Sequence, residues 1–294
     1  MKRFVLEVCV FALVVIATAF CLHQLYPPSE LAQKIQSLDD QLDIVNFGSS
    51  HGNNFIYVGT HHKGAALNKE GNTLYYDLQN LIYLHSHDRL TDNAIVMFPV
   101  SYFSFGMDEN REDRLPDDSF VNDFYYYLPP HQIYNYSESK QRFLTIYRIQ
   151  QNFQNLLSGN QRQIEEAPQN AEQLNEHALK RAEHHRDFVN EAAKSANLGY
   201  LRTAIEYCHD HGYRPVLVCT PFYRRYTEEM NADGWLFSNY YAPIGQLVRD
   251  TGVKFLDYSS DPRFTNDPTL FINSDHLNAT GRLRFSQIIL KDLK

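Results

Sequence analysis

Tryptophan, cysteine and positive charge are all scarce in this sequence of 294 residues. It contains one Trp and four Cys, and its 27 Lys and Arg are outnumbered by 35 Asp and Glu, giving a formal net charge of −8. Without a basic stripe the chain lacks the electrostatic footprint of a nucleic-acid-binding protein. It also has no internal repeat, no block of like charge and no metal-ligand spacing, so we expect no solenoid, disordered tail, metal or cofactor.

The residues that are abundant indicate a folded domain with many aromatic side chains. Hydrophobic residues make up 43% and charged residues 21%, which is enough apolar material for a core. The 20 Tyr and 19 Phe suit a groove that binds glycans, but they suit a Tyr-rich core equally well. Cys208 and Cys219 fall on a predicted helix and on the strand after it, so they are either two buried thiols or a disulfide.

The amino-terminal segment has the composition of a membrane span. Residues 4–23, which follow Lys2 and Arg3, are almost entirely apolar. About 20 helical residues reach the ~30 Å needed to cross a bilayer, and the positive flank puts the amino terminus in the cytoplasm. We therefore expect residues 1–24 to form a signal anchor. A cleaved signal peptide is the alternative, because 17–19 (ATA) resembles a cleavage site.

The rest of the chain alternates strands with helices. A linker with a short helix at 25–42 precedes a single predicted domain at 43–294. The predicted strands are 44–47, 65–67, 94–100, 216–219 and 253–256, and the main predicted helices are 74–85, 138–157, 175–211 with a bend near 197–199, 235–250 and 279 to the end. This pattern predicts a three-layer α/β fold with a doubly wound, parallel, five-stranded sheet, as in flavodoxin-like proteins.

A long connection at 104–135 interrupts this alternation. It is acidic in its first half and rich in Tyr in its second half. Connections of this length in a compact domain are often functional. We expect either a lid or binding loop, or a surface insertion without a functional role.

A serine and a histidine lie at positions where parallel strands and helices meet. Gly48 ends the first strand, and Ser50 follows at the carboxyl edge of the sheet, where ligands bind in open α/β folds. His276 lies in the segment NSDHLN at 273–278, just before the last helix. A serine hydroxyl becomes nucleophilic when an imidazole takes its proton. Ser50 is the candidate nucleophile and His276 the candidate base.

The GSSH and DHLN motifs, taken with the order of the strands, resemble the SGNH (GDSL-type) hydrolase superfamily over 43–294. The chain is similar to its membrane-anchored cell-envelope members, which include polysaccharide O-acetyltransferases and D-alanylation proteins. The resemblance implies an acyl-serine intermediate, an acyl donor, and an envelope glycan or polymer as acceptor. It also implies a membrane-bound O-acyltransferase as partner and an extracytoplasmic catalytic domain at the bacterial inner membrane.

The chain departs from the pattern of this superfamily in two blocks. The aspartate of the D-x-x-H block is replaced by Asn273, while Asp275 supplies a carboxylate at a different spacing, so both are candidates for the third member of a triad. The G-x-N-D block is missing after the third strand. Gly71 and Asn72, together with the backbone N–H of Ser50, are the candidate oxyanion donors.

Three further residues lie at the predicted carboxyl edge, and they are candidates for substrate binding: His51, Ser101 and Tyr102. The departures leave open a second function, that of an inactive homologue which binds a glycan or a partner in polymer assembly. A peptide hydrolase has no support, because no feature of the sequence would seat a peptide strand.

Overall fold

The computed structural model describes residues 2–25, 29–38, 41–107, 124–139, 141–142, 146, 150, 170–187 and 189–293. The chain divides into two compact units. The first comprises Met1–Ser37 and Glu112–Ile164, and the second comprises Leu38–Arg111 and Glu165–Lys294.

Two helices begin the first unit, α1 at Lys2–Leu25 and α2 at Glu30–Gln36. The Ser29 hydroxyl caps α2 by accepting a hydrogen bond from Ala32 N at 3.2 Å. The helix ends well short of residue 42, at a turn in which Ser37 N donates to Gln33 O. Within the described part of the chain, no helix has both the length and the apolar character needed to cross a bilayer. The membrane anchor therefore stays a prediction.

The second unit contains the predicted five-stranded parallel sheet. Its strands are β1 (Leu42–Asn46), β2 (Gly64–Ala66), β3 (Leu90–Pro99), β4 (Arg214–Cys219) and β5 (Lys254–Asp257). They pair in the order β2-β1-β3-β4-β5, and every pair is parallel. The apolar runs that predicted the central strands are buried, as expected for a sheet covered on both faces.

Helices of the second unit connect the strands and contribute to the core. They are α3 (Leu74–Ser86), α4 (Ala171–Asp187), α5 (Glu191–Asp210), α6 (Arg224–Met230), α7 (Ala242–Thr251), α8 (Pro262–Thr265) and α9 (Ala279–Asp292). A single π-helical turn at Phe237–Tyr241 leads into α7. Phe285 and Ile289 of α9 are fully buried in one cluster with Ile44, Met97 and Val216 of three strands. This packing holds the carboxyl-terminal segment against the sheet.

The prediction of one helix over 175–211 with a bend near 197–199 is wrong. The chain forms two helices, because Asn190 starts α5 by accepting a hydrogen bond from Ala192 N at 2.9 Å. Asn197 lies inside α5, where its Nδ2 donates to the carbonyl oxygens of Phe105 and Met107 at 3.1 and 2.6 Å. Asn197 therefore does not mark a bend in the helix; its side chain makes a tertiary contact with the segment at Phe105–Met107.

Other predictions meet the structure only in part. Cys208 and Cys219 are buried and free, so they form no disulfide with each other. Most of the predicted helix 138–157 lies outside the described residues, as do residues 108–123 of the predicted loop. The described ends of that loop contain short 3₁₀ turns at Ser104–Gly106 and Pro130–Gln132.

Candidate active site

The turn that carries Ser50 follows β1 directly. Gly48 has a φ of 97°, a left-handed conformation that favours glycine, and a Cβ there would lie 3.1 Å from the Pro99 side chain. A 3₁₀ helix at Ser50–Asn54 begins immediately afterwards. Its first hydrogen bond runs from Gly52 N to Ser49 O at 2.9 Å. The N–H of Ser50 comes before that bond, so the helix itself provides no acceptor for it.

A buried carboxylate, Asp77 of α3, supports this turn. Its Oδ1 accepts hydrogen bonds from Gly48 N at 2.9 Å and from the Asn72 side chain. Burial raises the pKa of Asp77 to about 7, although both hydrogen bonds oppose the shift. No sequence motif marks Asp77 as part of the site. Its spacing from Leu74 and Leu81 puts a charged residue on the apolar face of α3, a signal that could have identified it.

His276 is presented by a small antiparallel hairpin formed by β6 (Phe271–Asn273) and β7 (His276–Leu277). Asn278 follows and caps α9, its Oδ1 accepting from Gly281 N at 3.0 Å. Leu277 is fully buried in the core. In the chain, His276 therefore lies between the turn of the hairpin, which precedes it, and the buried Leu277, which follows it.

Ser50 and His276 form a hydrogen-bonded dyad. The distance from Ser50 Oγ to His276 Nε2 is 2.7 Å, and that from His276 Nδ1 to Asn273 Oδ1 is 2.9 Å. The amide oxygen of Asn273 can only accept, so Nδ1 carries the proton and the lone pair of Nε2 faces the serine. This is the tautomer that a general base requires.

Asp275 brings a negative charge to the same imidazole. Its Oδ1 lies 3.4 Å from His276 Nδ1, and its side chain is completely buried. Burial by itself would raise the pKa of Asp275, but His276, His51 and Arg181 outweigh it and hold that pKa well below the usual range. Asn273 therefore accepts the shorter hydrogen bond, and Asp275 places a negative charge beside the same ring.

His51 and Ser101 lie inside the protein beneath the dyad. The His51 ring stacks on the His276 ring with centroids 4.6 Å apart, and its Nε2 lies 3.5 Å from Asp275 Oδ2. Burial lowers the pKa of His51 to about 4, so its ring is neutral near pH 7. A carboxylate only accepts, so Nε2 carries the proton and Nδ1 accepts from the Ser101 hydroxyl.

The sequence predicts that His51, Ser101 and Tyr102 bind substrate. Their positions in the structure do not fit that role. Each of the three residues is no more than 2% exposed. The Tyr102 ring packs against Phe222 and Tyr240, with centroids 4.7 and 5.1 Å away. In this structure all three side chains are buried and do not face solvent, so they are not in position to contact a substrate.

Helix α4 carries three side chains spaced four residues apart, of which His177 and Arg181 contact the hairpin. His177 Nδ1 lies 2.9 Å from Ser274 Oγ, and Arg181 Nε donates to Asp275 Oδ2 at 3.3 Å. His185 Nδ1 lies 2.6 Å from the Tyr226 hydroxyl, and burial lowers the pKa of His185 to about 2. No sequence motif marks these three residues as part of a site, although their spacing places them on one face of α4.

The candidate oxyanion donors differ in availability. The backbone N–H of Asn72 donates to Lys69 O at 3.0 Å, and its side chain donates to Asp77. Gly71, at a φ of 72°, has open space where a Cβ would lie. Among the described residues, the N–H groups of Ser50 and Gly71 have no hydrogen-bond acceptor, so of the candidates these two remain available as donors.

One group of side chains within the described ranges has the composition of a metal site. One ligand atom each from His51, Asp275 and His276 lie within 4.8 Å of one another. However, His276 Nδ1 already donates a hydrogen bond to Asn273, and the Arg181 guanidinium already pairs with the Asp275 carboxylate. Hydrogen bonds and ion pairing therefore account for these residues, and a second cation at Asp275 would be repelled.

Together these contacts define a serine–histidine dyad at the carboxyl edge of a parallel sheet. No family model matches the chain, and no curated protein matches it. It is similar to a solved protein from Streptococcus pneumonia provisionally described as a platelet activating factor, with 11% identity over 98% of this chain and 99% of that chain and a TM-score of 0.45. It is also similar to a provisionally described acylhydrolase from Bacteroides fragilis, with 13% identity over 90% and 96% of the two chains and a TM-score of 0.37. At these values neither likeness assigns a function to this chain.

Proposed function

We propose that this protein is a serine esterase or acyltransferase that works through an acyl-Ser50 intermediate. The observation that carries the proposal is the 2.7 Å contact between Ser50 Oγ and His276 Nε2, with the ring held in the productive tautomer by Asn273. A serine paired in this way with an oriented imidazole is the usual arrangement for nucleophilic acyl transfer.

In the first half-reaction His276 Nε2 takes the hydroxyl proton while Ser50 Oγ bonds to the carbonyl carbon of the ester. The carbonyl oxygen becomes negative and accepts hydrogen bonds from the N–H groups of Ser50 and Gly71. The bond to the alcohol then breaks, and the alcohol oxygen takes the proton from His276. In the second half-reaction water or an acceptor hydroxyl gives its proton to His276 and attacks the acyl carbon. The bond between that carbon and Ser50 Oγ then breaks, and Oγ takes the proton back from His276, which restores both residues.

Asp275 contributes to both half-reactions without taking a proton. The imidazolium of His276 forms 3.4 Å from a carboxylate that Arg181 and His51 keep ionised inside the protein. A charge pair at this distance in a buried site is worth several kcal/mol. The positive charge that develops on His276 is therefore balanced by a charge already in place.

The resemblance to the SGNH superfamily supports a more specific proposal. The acceptor or donor is an envelope glycan or exported polysaccharide, and residues 1–24 anchor the domain at the outer face of a bacterial inner membrane. A membrane-bound O-acyltransferase would supply the acyl group. The apolar segment 4–23 and its Lys2–Arg3 flank support the anchor.

A fluorophosphonate probe tests the nucleophile directly. We expect covalent labelling and hydrolysis of 4-nitrophenyl acetate by the wild-type protein, and loss of labelling with at least about a 10³-fold loss of rate in Ser50→Ala. Ser49→Ala is the matched control, because Ser49 is the adjacent buried serine and its side chain makes no capping bond. Equal labelling of the wild-type and Ser50→Ala proteins would refute the assignment of Ser50.

A second candidate is an inactive homologue that binds a glycan or a protein partner. It is favoured by the neutral amide of Asn273 at the position of the usual aspartate, and by the engagement of both donors of Asn72. It predicts that Ser50→Ala leaves the cellular phenotype intact, while changes within 104–135 abolish it. The opposite result, loss of function in Ser50→Ala with normal folding, would exclude it.

A further inference from the structure

His51 is a completely buried imidazole that takes no proton in the proposed reaction. Its ring stacks on the ring of His276, with centroids 4.6 Å apart and an angle of 25° between the planes. The rings of Phe103 and Phe222 also pack against it, with centroids 5.4 and 5.5 Å away. Contacts with three rings in a close-packed interior leave the His51 ring little freedom to rotate.

Each ring nitrogen of His51 faces a polar group. Nδ1 lies within hydrogen-bond distance of the Ser101 hydroxyl, and Nε2 lies 3.5 Å from Asp275 Oδ2. Burial lowers the pKa of His51 to about 4, so near pH 7 the ring is neutral and carries one nitrogen-bound proton. A carboxylate only accepts, so that proton is on Nε2, and the Ser101 hydroxyl donates to Nδ1.

The Asp275 carboxylate lies among two imidazoles and one guanidinium. Its Oδ1 is 3.4 Å from His276 Nδ1, and Arg181 Nε is 3.3 Å from each of its oxygens. Among the described residues, His51 and Arg181 are the two that face Oδ2. The Arg181 side chain is one third exposed, whereas the His51 ring is fixed by its neighbours. His51 is therefore the more rigid of the two donors to this carboxylate.

We propose that His51 is a positioning residue for acyl transfer: its Nε2–H holds the Asp275 carboxylate beside His276, and the Ser101 hydroxyl keeps His51 in the donating tautomer. The inference rests on the proposed esterase or acyltransferase function. The contact of 3.5 Å is longer than an ordinary hydrogen bond, and such contacts in active sites commonly shorten when substrate binds.

The proposal separates kcat from KM. The charge of Asp275 acts when the His276 imidazolium forms, so a displaced carboxylate should lower kcat. His51 and Ser101 are no more than 2% exposed and so make no contact with substrate, which means that KM should not change.

Two variants of His51 distinguish its N–H group from its ring. His51→Phe keeps a ring that can stack but has no N–H, and it should lower kcat for 4-nitrophenyl acetate by about 10- to 100-fold with KM within about twofold of the wild type. His51→Gln keeps an N–H donor and should stay within about fivefold of the wild-type kcat. His85→Phe is the matched control, because it removes an imidazole that contacts the Tyr213 hydroxyl at 2.8 Å where the chain enters β3, and it should leave kcat unchanged.

A double-mutant comparison distinguishes positioning from support of the fold. In an Asp275→Asn background, His51→Phe should lower kcat by less than about threefold, because the carboxylate that His51 holds is gone. A loss in that background as large as the loss in the wild type would overturn the inference. Equal losses in His51→Phe and His51→Gln, or a wild-type kcat in His51→Phe, would overturn it as well.

Ser101→Ala tests the same contact if His51→Phe does not fold, since it deletes one hydroxyl and keeps the surrounding packing. It should lower kcat by about 3- to 10-fold in the wild type and by less than about twofold with Asp275→Asn, and an unchanged kcat would overturn the inference. Fluorophosphonate labelling of the wild-type protein reports on Ser50 separately. Absence of labelling refutes the proposed function, whereas labelling with full activity in His51→Phe refutes only the role of His51.

Discussion

Asp77 is the group through which pH should change the stability of the turn that carries Ser50. Its side chain is 1% exposed, and burial raises its pKa from 3.8 to about 7. Between these values the folded protein binds a proton that the unfolded chain has lost. Stability due to this group is fully present below about pH 4 and is lost as pH rises towards 7, by about 1.4 kcal/mol per pH unit and about 4 kcal/mol in all.

His51 acts in the opposite direction over nearly the same range. Its pKa falls from 6.5 to about 4 on folding, so its contribution is present above about pH 6.5 and is lost as pH falls through 4. The two effects partly cancel in the wild-type protein. A pH profile of stability therefore isolates Asp77 only as a difference between the wild type and a variant.

Asp77→Asn supplies that difference. The amide keeps an oxygen to accept from Gly48 N and Asn72 but cannot ionise. Relative to the wild type, its free energy of unfolding should rise by about 4 kcal/mol between pH 4 and pH 7.5. Urea unfolding at half-unit steps of pH measures this change. Asp210→Asn, which removes an exposed carboxylate at the end of α5, should follow the wild-type curve.

The reasoning about Asp77 is refuted if Asp77→Asn and the wild type have parallel profiles. It is also refuted if the variant loses stability relative to the wild type as pH rises, because that outcome would mean that the folded state favours the ionised carboxylate.

Three further predictions concern the hairpin and the last helix. Asp275→Asn should lower kcat/KM for ester hydrolysis by about 100-fold or more, because it removes the charge that stabilises the His276 imidazolium. Asn273→Asp should instead keep kcat/KM within about tenfold of the wild type, because a carboxylate still accepts from Nδ1 and holds the same tautomer; a loss as large as that of Asp275→Asn would contradict the assigned role. Gly281→Ala should destabilise the protein by about 1–3 kcal/mol in urea unfolding, because its Cβ would overlap a backbone carbonyl oxygen, whereas Gly245→Ala should not.

The strands and the two members of the dyad could be predicted because their signals are local. A buried parallel strand requires an unbroken apolar run, and β1, β3 and β4 supply such runs. Ser50 was identifiable from the glycine turn after β1, and His276 from its place before the last helix. Both signals depend on residues that are close together in the chain.

The supporting residues could not be predicted because their contacts join distant parts of the chain. Arg181 lies 94 positions from Asp275, and Asp77 lies 29 positions from Gly48. Whether Asn273 or Asp275 serves His276 depends on how the β6–β7 turn directs each side chain. The spacing of the sequence allowed either residue to contact His276. In the structure Asn273 accepts the hydrogen bond from Nδ1, and Asp275 places its charge beside the ring.

The amino-acid sequence by itself determined the five-stranded parallel architecture and the placement of Ser50 and His276 at the end of their respective segments. Hydrophobic periodicity and turn residues act over a few positions, so they can be read without coordinates. Only the tertiary structure decided that Asn273 and Asp275 both meet the imidazole, that His51 lies beneath it, and that Arg181 pairs with Asp275. Those properties arise from burial and from distances of a few ångströms between segments, which the order of residues does not encode locally.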